Sequence, residues 1–192
     1  MIHPKSIINL TPSVRRMFEF GTSVKSISGL SVIIPIRGID RQNNLNFCIS
    51  RLLLQNVDPI EIIISEEDQF EKIQNKIYAN DSRIRKIFTQ SGPTSFNKSI
   101  AVNAGFAVAT FNKLIMNNAD IIPPKDYFHR IDATLNDYDA CFFGKEIYNV
   151  NLMKTSVLWS GTKRVDYFSG GSIAFTKKAF ASIGGMCERF YG

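Results

Sequence analysis

The sequence of 192 residues contains few cysteines and histidines and no long hydrophobic run. Its three cysteines, Cys48, Cys141 and Cys187, are odd in number and show no metal-ligand spacing, a pattern typical of a protein from a reducing compartment. Its two histidines, His3 and His129, fit no ligand pattern either. No apolar segment approaches the roughly 20 residues that a membrane-spanning helix requires.

Several other signals are missing. The amino-terminal residues mix charge and proline without an apolar core, so we predict no signal peptide. Basic residues do not alternate with aromatic ones, so the formal net charge of +6 does not predict a nucleic-acid partner. The charge instead favours an anionic partner: a nucleotide phosphate, a polyanionic glycan or a membrane face. We therefore expect a cytoplasmic protein, with peripheral association at the inner face of the membrane left open.

The composition is that of an ordinary globular domain, with 44% hydrophobic and 21% charged residues. A chain of this length can bury a core without help from disulfides or metal. We predict an extension over residues 1–29, with one or two helical turns at 14–20, and a single domain over residues 30–192.

Short apolar strands alternate with amphipathic helices along that domain. Strands are predicted at 31–36, 60–64, 84–88 and 114–116, with helices at 43–55, 69–78 and from residue 96 onwards. A helix at 125–135, a strand at 140–143, a long loop at 146–165, a strand ending at residue 175 and a helix from Lys177 to Gly184-Gly185 complete the prediction. This alternation is typical of right-handed parallel crossovers, with helices covering both faces of the sheet.

The stretch from Phe96 to Pro124 shows how such a sheet carries chemistry. We predict that one face of its helix contains Phe96, Ile100, Ala104 and Ala107. The following strand ends in Asn117-Asn118-Ala119-Asp120, and the strand at 60–64 ends in Ser65-Glu66-Glu67-Asp68. Carboxyl ends of parallel strands are where α/β sheets bind ligands. A solvated turn remains the alternative interpretation of each acidic end.

Four segments, in order, resemble the nucleotide-sugar glycosyltransferases of the GT-A fold, close to family 2 and with a galactosyltransferase-type C-terminal region. They are residues 31–37 (SVIIPIR), residues 61–67 (EIIISEE), residues 96–105 with 114–123, and residues 168–175 with 184–192. The resemblance implies a Rossmann-like α/β domain with a mostly parallel sheet. It also implies a metal-dependent and inverting enzyme that transfers a sugar from a UDP-sugar to a glycan or another hydroxyl acceptor.

The resemblance also implies roles for individual residues. Asp120, at the second acidic position of the family's Asp-x-Asp motif, would bind Mn²⁺ or Mg²⁺, which prefer oxygen ligands. Either Glu66 or Glu67 would accept hydrogen bonds from the base or ribose. Lys98 and Asn103 would reach the phosphates or ribose, and Gly170-Gly171 would let the backbone approach the sugar. The full set of predicted nucleotide-sugar-binding residues is Pro35, Arg37, Glu66, Glu67, Lys98, Asn103, Asn118, Gly170 and Gly171.

The sequence departs from the family at three points. Asn118 replaces the first Asp of the metal motif, and Ile100 stands where relatives often have Lys or Arg. The sequence ends at Gly192, where relatives continue into a Trp-Gly-x-Glu-Asp segment with the catalytic base and later a metal-binding His. No base is assigned, although Asp166 and Glu188 are carboxylates in the corresponding half.

Two interpretations therefore compete. The first is a glycosyltransferase, given as a fragment or as a compact variant. The second is a nucleotide-sugar-binding module without turnover. A glycoside hydrolase with paired carboxylates is a distant third. The late Gly-Gly region suggests a galactose-type or N-acetylhexosamine donor.

Overall fold

The computed structural model describes residues 27–74, 78–93, 95–142 and 171–189, together with two short strands at 147–148 and 163–164. The predicted helical turns at 14–20, Asp166, Gly170 and most of the 146–165 loop lie outside the described residues. The first strand already begins at Ile27, slightly before the predicted start of the domain.

Six strands form the central sheet. Most of their residues are apolar, and many are β-branched. Their bounds are β1 Ile27–Ile36, β2 Ile60–Asp68, β3 Ile84–Gln90, β4 Phe111–Asn117, β5 Ala140–Cys141 and β8 Ser172–Thr176. The remaining strands, β6 Ile147–Tyr148 and β7 Lys163–Arg164, pair antiparallel in a separate ribbon.

The sheet has the order β3-β2-β1-β4-β8-β5. The strands β3, β2, β1 and β4 are parallel, with Ile33 in register with Ile63 on one side and with Met116 on the other. The strand β8 runs antiparallel to both β4 and β5. The predicted mostly parallel sheet is confirmed.

Four helices cover the two faces of the sheet: α1 Gln42–Leu52, α2 Lys98–Val108, α3 Tyr127–Asp137 and α4 Lys177–Ser182. The helices α1 and α3 pack on one face, where Ile49 and Phe128 share a core with Val32. The helices α2 and α4 pack on the other, where Phe106 and Phe180 share a core with Ile33. Among the described residues, no helix combines the length and apolar character needed to cross a bilayer.

The predicted helix at 69–78 is wrong for the residues that the structure describes. The strand β2 continues to Asp68, and residues 71–74 follow it without helical structure. Side-chain oxygens accept from the backbone N–H groups of these residues. The buried Glu66 Oε1 accepts from Lys72 N and Ile73 N at 2.6 and 3.0 Å, and Gln42 Oε1 accepts from Gln74 N at 2.8 Å. Side chains therefore provide the hydrogen bonds that a helix would have made.

The predicted apolar face of α2 is only partly confirmed, since Ala104 alone of its four residues is buried. The helix buries residues 101–106, whereas Phe96, Ile100 and Ala107 remain partly exposed. Gly105 explains the difference, because a Cβ there would lie 2.4 Å from the Cγ2 of Ile33. The glycine lets the helix backbone lie directly on β1, which fixes the position of the amino-terminal end of α2 above the sheet.

Candidate functional site

The strand order reverses between β1 and β4, and the space above the carboxyl ends of these two neighbouring strands is called the crevice below. Open α/β sheets bind ligands at such a switch point. The loop after β1 leads into a short 3-10 helix, Ile39–Arg41. The loop after β4 contains Asn118 and Asp120. An ion pair joins the two loops, with Arg41 Nη1 at 3.6 Å from Asp120 Oδ2.

Asp120 is the exposed carboxylate of this crevice, since 43% of its side chain is accessible. Lys98, the first residue of α2, contributes a second positive charge nearby. Burial lowers the pKa of Lys98 below its ordinary value, and the negative charge of Asp120 opposes that shift. One carboxylate and two cations thus meet where the strand order reverses.

The donors of this crevice fit a hard divalent cation that arrives together with a diphosphate. The described residues contain no cluster of three or more His, Cys, Asp or Glu side chains that would enclose a metal by themselves. Mg²⁺, however, commonly keeps several waters and is bound by one or two carboxylates together with substrate phosphates. The Asp120 carboxylate and the Asn118 carboxamide offer oxygen donors of that type.

The structure brings Gly171 next to this loop. The Asn118 N–H donates to the Gly171 carbonyl at 2.8 Å, one residue beyond the last β4–β8 pair, Asn117 with Ser172. Gly171 therefore lies beside the loop that contains Asn118 and Asp120, and its predicted approach to a sugar stays a prediction. Gly170 lies outside the described residues.

A second group of charges lies at the carboxyl ends of β1 and β2. Arg37 Nη1 donates to Glu67 Oε2 at 3.3 Å, and Arg37 Nε lies 3.6 Å from Asp68 Oδ1. Burial raises the pKa of Asp68, but hydrogen bonds from Lys72 and the Gln69 N–H, with the charges of Lys72 and Arg37, outweigh burial and lower it. Arg37 keeps 19% of its side chain exposed, whereas Glu67 and Asp68 are buried.

Two predicted ligand residues are placed in the interior instead. Glu66 is 0% exposed, and its carboxylate pairs with Lys86 Nζ at 2.7 Å while also accepting from the 72–73 backbone. One carboxylate oxygen of Glu66 therefore holds the backbone of residues 72–73, and the other pairs with Lys86. Pro35 is buried in β1. The pairing of β1 with β4 ends at Ile33, so the missing N–H of Pro35 removes no hydrogen bond to β4.

Asn103 makes its hydrogen bonds with residues 186–188. It is 3% exposed, and its side-chain amide donates to the Met186 carbonyl at 2.9 Å and to Glu188 Oε1 at 2.7 Å. Its oxygen accepts from the Met186 N–H at 2.8 Å. The prediction that Asn103 reaches phosphate or ribose is not supported, because these bonds direct the side chain to residues 186–188.

Sequence reasoning missed two residues of this edge. Asn97 caps α2, with its Oδ1 accepting from the Ile100 N–H at 3.2 Å. An Asn before an Ala-rich helix is a recognisable capping signal. Arg41 carries no such signal, because only the fold brings it to Asp120.

Comparison with known proteins agrees with this architecture. The family model for glycosyl transferase family 2 matches residues 31–187. None of the curated proteins matches the sequence significantly. The structure is similar to residues 1–349 of S. aureus TarS, with a TM-score of 0.58, 13% identity and coverage of 86% of this chain and 52% of that one.

A mannosyltransferase from Pyrobaculum calidifontis, PcManGT, is also similar, with a TM-score of 0.56, 14% identity and coverage of 91% of this chain and 53% of that one. The chain thus spans about half the length of the TarS 1–349 chain and of PcManGT. At this level of identity the likeness concerns the fold alone, whereas the family model covers most of the sequence. The chain belongs to glycosyl transferase family 2 and has the GT-A fold of that family.

Proposed function

We propose that this chain binds a nucleotide-diphosphate sugar in the crevice between β1 and β4 and transfers the sugar to a hydroxyl acceptor. The observation that carries the proposal is the ion pair of Asp120 with Arg41, within electrostatic reach of Lys98, at the switch point of the sheet. The similar structures support it, since TarS has been crystallised with UDP-GlcNAc and with UDP, and PcManGT with GDP-Man and Mn²⁺.

The diphosphate would lie over the carboxyl ends of β1 and β4. Lys98 and Arg41 would neutralise part of its charge, and Arg41 would exchange its contact with Asp120 for a phosphate oxygen. Asp120, with Asn118, would hold Mn²⁺ or Mg²⁺ against the diphosphate. When bound, such an ion supplies Lewis-acid stabilisation of the charge that develops on the leaving diphosphate. Asn118 is a neutral donor, so it would hold the ion less strongly than a second carboxylate.

The nucleoside would lie at the ends of β1 and β2. Arg37 is the accessible member of the Arg37–Glu67–Asp68 group, and its planar guanidinium can stack on a base or donate to ribose. Of the two predicted carboxylates, Glu67 remains the candidate for the base or ribose, because Glu66 is buried and paired with Lys86. The choice of UDP rests on the family resemblance.

The sugar and the acceptor would lie on the β8 side of the crevice. Gly170-Gly171 precedes β8, and Gly171 lies beside Asn118. An inverting transfer would bring the acceptor hydroxyl to the anomeric carbon from the side opposite the diphosphate, with a carboxylate base taking its proton. We assign no residue to that base. A glycan acceptor and a peripheral position at the membrane remain parts of the proposal.

The proposal is tested by following the release of UDP from UDP-galactose and UDP-N-acetylglucosamine, with Mn²⁺ or with EDTA. We expect slow Mn²⁺-dependent release that falls about tenfold or more in Lys98→Ala, because a phosphate-side charge is lost. The exposed Lys178→Ala serves as the matched control. Binding of UDP without release would favour the binding module over the enzyme. Absence of both binding and release would refute the proposed donor site.

A further inference from the structure

Two buried asparagines of the α2 region hold a segment of the chain that is distant in sequence. Asn97 is 1% exposed and Asn103 is 3% exposed. Both turn their side-chain amides to the segment Met186–Glu188, which follows α4. Buried amide groups almost always have hydrogen-bond partners, and here the acceptors of both side-chain NH₂ groups come from this one segment.

Asn103 forms two hydrogen bonds with the backbone of a single residue, Met186. Asn103 donates to the carbonyl of Met186 and accepts from the N–H of the same residue, so it bonds this backbone as a neighbouring strand would. Gly185 makes room for it. The φ of Gly185 is +76°, and a Cβ at that position would lie 2.8 Å from Asn103 Oδ1. The late double glycine is therefore needed for docking of this turn onto α2.

The contacts of Asn97 extend to the carboxyl ends of β1 and β2, where the nucleoside is proposed to lie. The Asn97 N–H donates to Glu67 Oε2 at 3.2 Å, and its Nδ2 donates to the Glu188 carbonyl at 2.7 Å. Glu67 also pairs with Arg37 at 3.3 Å. A continuous chain of polar contacts thus runs from Arg37 through Glu67 and Asn97 to Glu188. Lys98 follows Asn97 directly, so the segment lies beside the cation proposed for the diphosphate.

We propose that Asn97 and Asn103 are positioning residues that hold Met186–Glu188 as a wall of the donor site, and that Asn97 couples nucleotide binding to the order of this wall. The coupling rests on the proposed function, since it needs a nucleotide at Arg37 and Glu67. A nucleotide that fixes Arg37 and Glu67 also fixes the Asn97 N–H, and through its Nδ2 the carbonyl of Glu188. The side-chain amide of Asn103 orients the carboxylate of Glu188 by a hydrogen bond.

The test is hydrogen exchange of the peptide that covers residues 185–189, with and without UDP and Mn²⁺. The variant is Asn97→Ser, which keeps a hydroxyl to cap α2 and keeps the backbone N–H for Glu67, but removes the donor to Glu188. Without ligand we expect exchange of this peptide to rise about fivefold, as for the loss of one net hydrogen bond. The amides in the interior of α2 should be unchanged.

The effect of UDP on exchange of this peptide distinguishes coupling from a purely structural role of Asn97. We expect UDP with Mn²⁺ to slow exchange of the 185–189 peptide in the wild type by about threefold or more, and to lose most of this effect in Asn97→Ser. The UDP dissociation constant should rise only by about the same factor as the lost protection, because the coupling is reciprocal and the diphosphate contacts are retained. Equal protection by UDP in both proteins, or equal exchange of the peptide without ligand, would overturn the proposal.

A second pair of variants tests the Asn103 contact without disturbing α2. Glu188→Gln keeps an oxygen that accepts from Asn103, so exchange of the 185–189 peptide should match the wild type. Glu188→Ala removes it and should raise exchange. Identical exchange in the two variants would contradict the positioning role. If the wild type binds no UDP, the donor-site proposal and the coupling both fail, while the ligand-free comparisons still decide whether the asparagines hold the segment.

Discussion

Cys48 supports the loop after β4 and lies behind the proposed metal-binding residues. Its thiol approaches the Ile121 carbonyl at 3.2 Å, and the Asn117 amide donates to its sulfur at 3.4 Å. Burial raises the pKa of Cys48 to about 12, with the Asn117 hydrogen bond opposing the shift. The thiolate is therefore scarce at neutral pH, and the side chain acts as a small core residue.

We predict that iodoacetamide at pH 8 modifies Cys187, which is exposed, well before Cys48, which is buried. The difference should exceed about a hundredfold in rate, because Cys48 lacks both thiolate and access. Mass spectrometry of the native protein over time measures the order, and addition of urea should remove it. Alkylation of both residues at similar rates in the native protein would show that the loop after β4 is not packed as described.

The ion pairs of Asp68 predict how the stability of the protein changes at acidic pH. Its pKa is lowered, so its contribution to stability is present above the unfolded value of about 3.9 and disappears as the pH falls through the lower folded value. We predict that Asp68→Asn costs about 1–3 kcal/mol at pH 7 and progressively less below pH 4. Urea titrations across this range measure the difference. Asp137→Asn, at the exposed end of α3, should cost less than about 0.5 kcal/mol. A penalty for Asp68→Asn that stays constant with pH would contradict the assigned ion pairs.

The close contact of α2 with β1 positions Asn97 and Lys98 at the donor edge. Gly105→Ala would place a methyl group 2.4 Å from Ile33 Cγ2, so the helix would have to move away from the sheet. We predict a loss of about 1–3 kcal/mol in unfolding free energy by urea titration.

Gly92→Ala is the matched control for Gly105→Ala, since a Cβ there meets nothing within 4 Å. It should leave the stability the same or slightly higher, because it restricts the unfolded chain. An equal effect of the two substitutions would contradict the helix–sheet contact.

Much of the element sequence could be predicted from local patterns. The β-branched runs before Arg37 and Glu66 and the amphipathic spacing of α1 and α3 are local signals, and all of them form the predicted type of element. The helix at 69–78 could not be rejected locally, because the acceptors that replace its bonds include Gln42, far away in sequence. The buried face of α2 likewise depends on Ile33, which only the sheet brings to Gly105.

At the scale of the whole molecule, the sequence predicts a sheet with its polar ends on one edge, but only the strand order brings these ends into specific pairs. Arg41 meets Asp120 because β1 and β4 are neighbours. Asn103 meets residues 186–188 because α4 packs on the same face as α2. The predicted family is confirmed, whereas the individual ligand contacts remain proposals.

The central claim is that Asp120 holds the cation of a nucleotide diphosphate at the switch point. Calorimetric titration of UDP with Mn²⁺ and with EDTA tests it most directly, for the wild type, Asp120→Ala and the control Asp137→Ala, whose exposed carboxylate lies near the amino edge of the sheet. The account predicts that Mn²⁺ strengthens UDP binding in the wild type and the control, and that Asp120→Ala weakens the Mn²⁺-dependent binding about tenfold or more while leaving binding in EDTA unchanged. Equal Mn²⁺-dependent affinity in all three proteins, or no UDP binding in either condition, would contradict it.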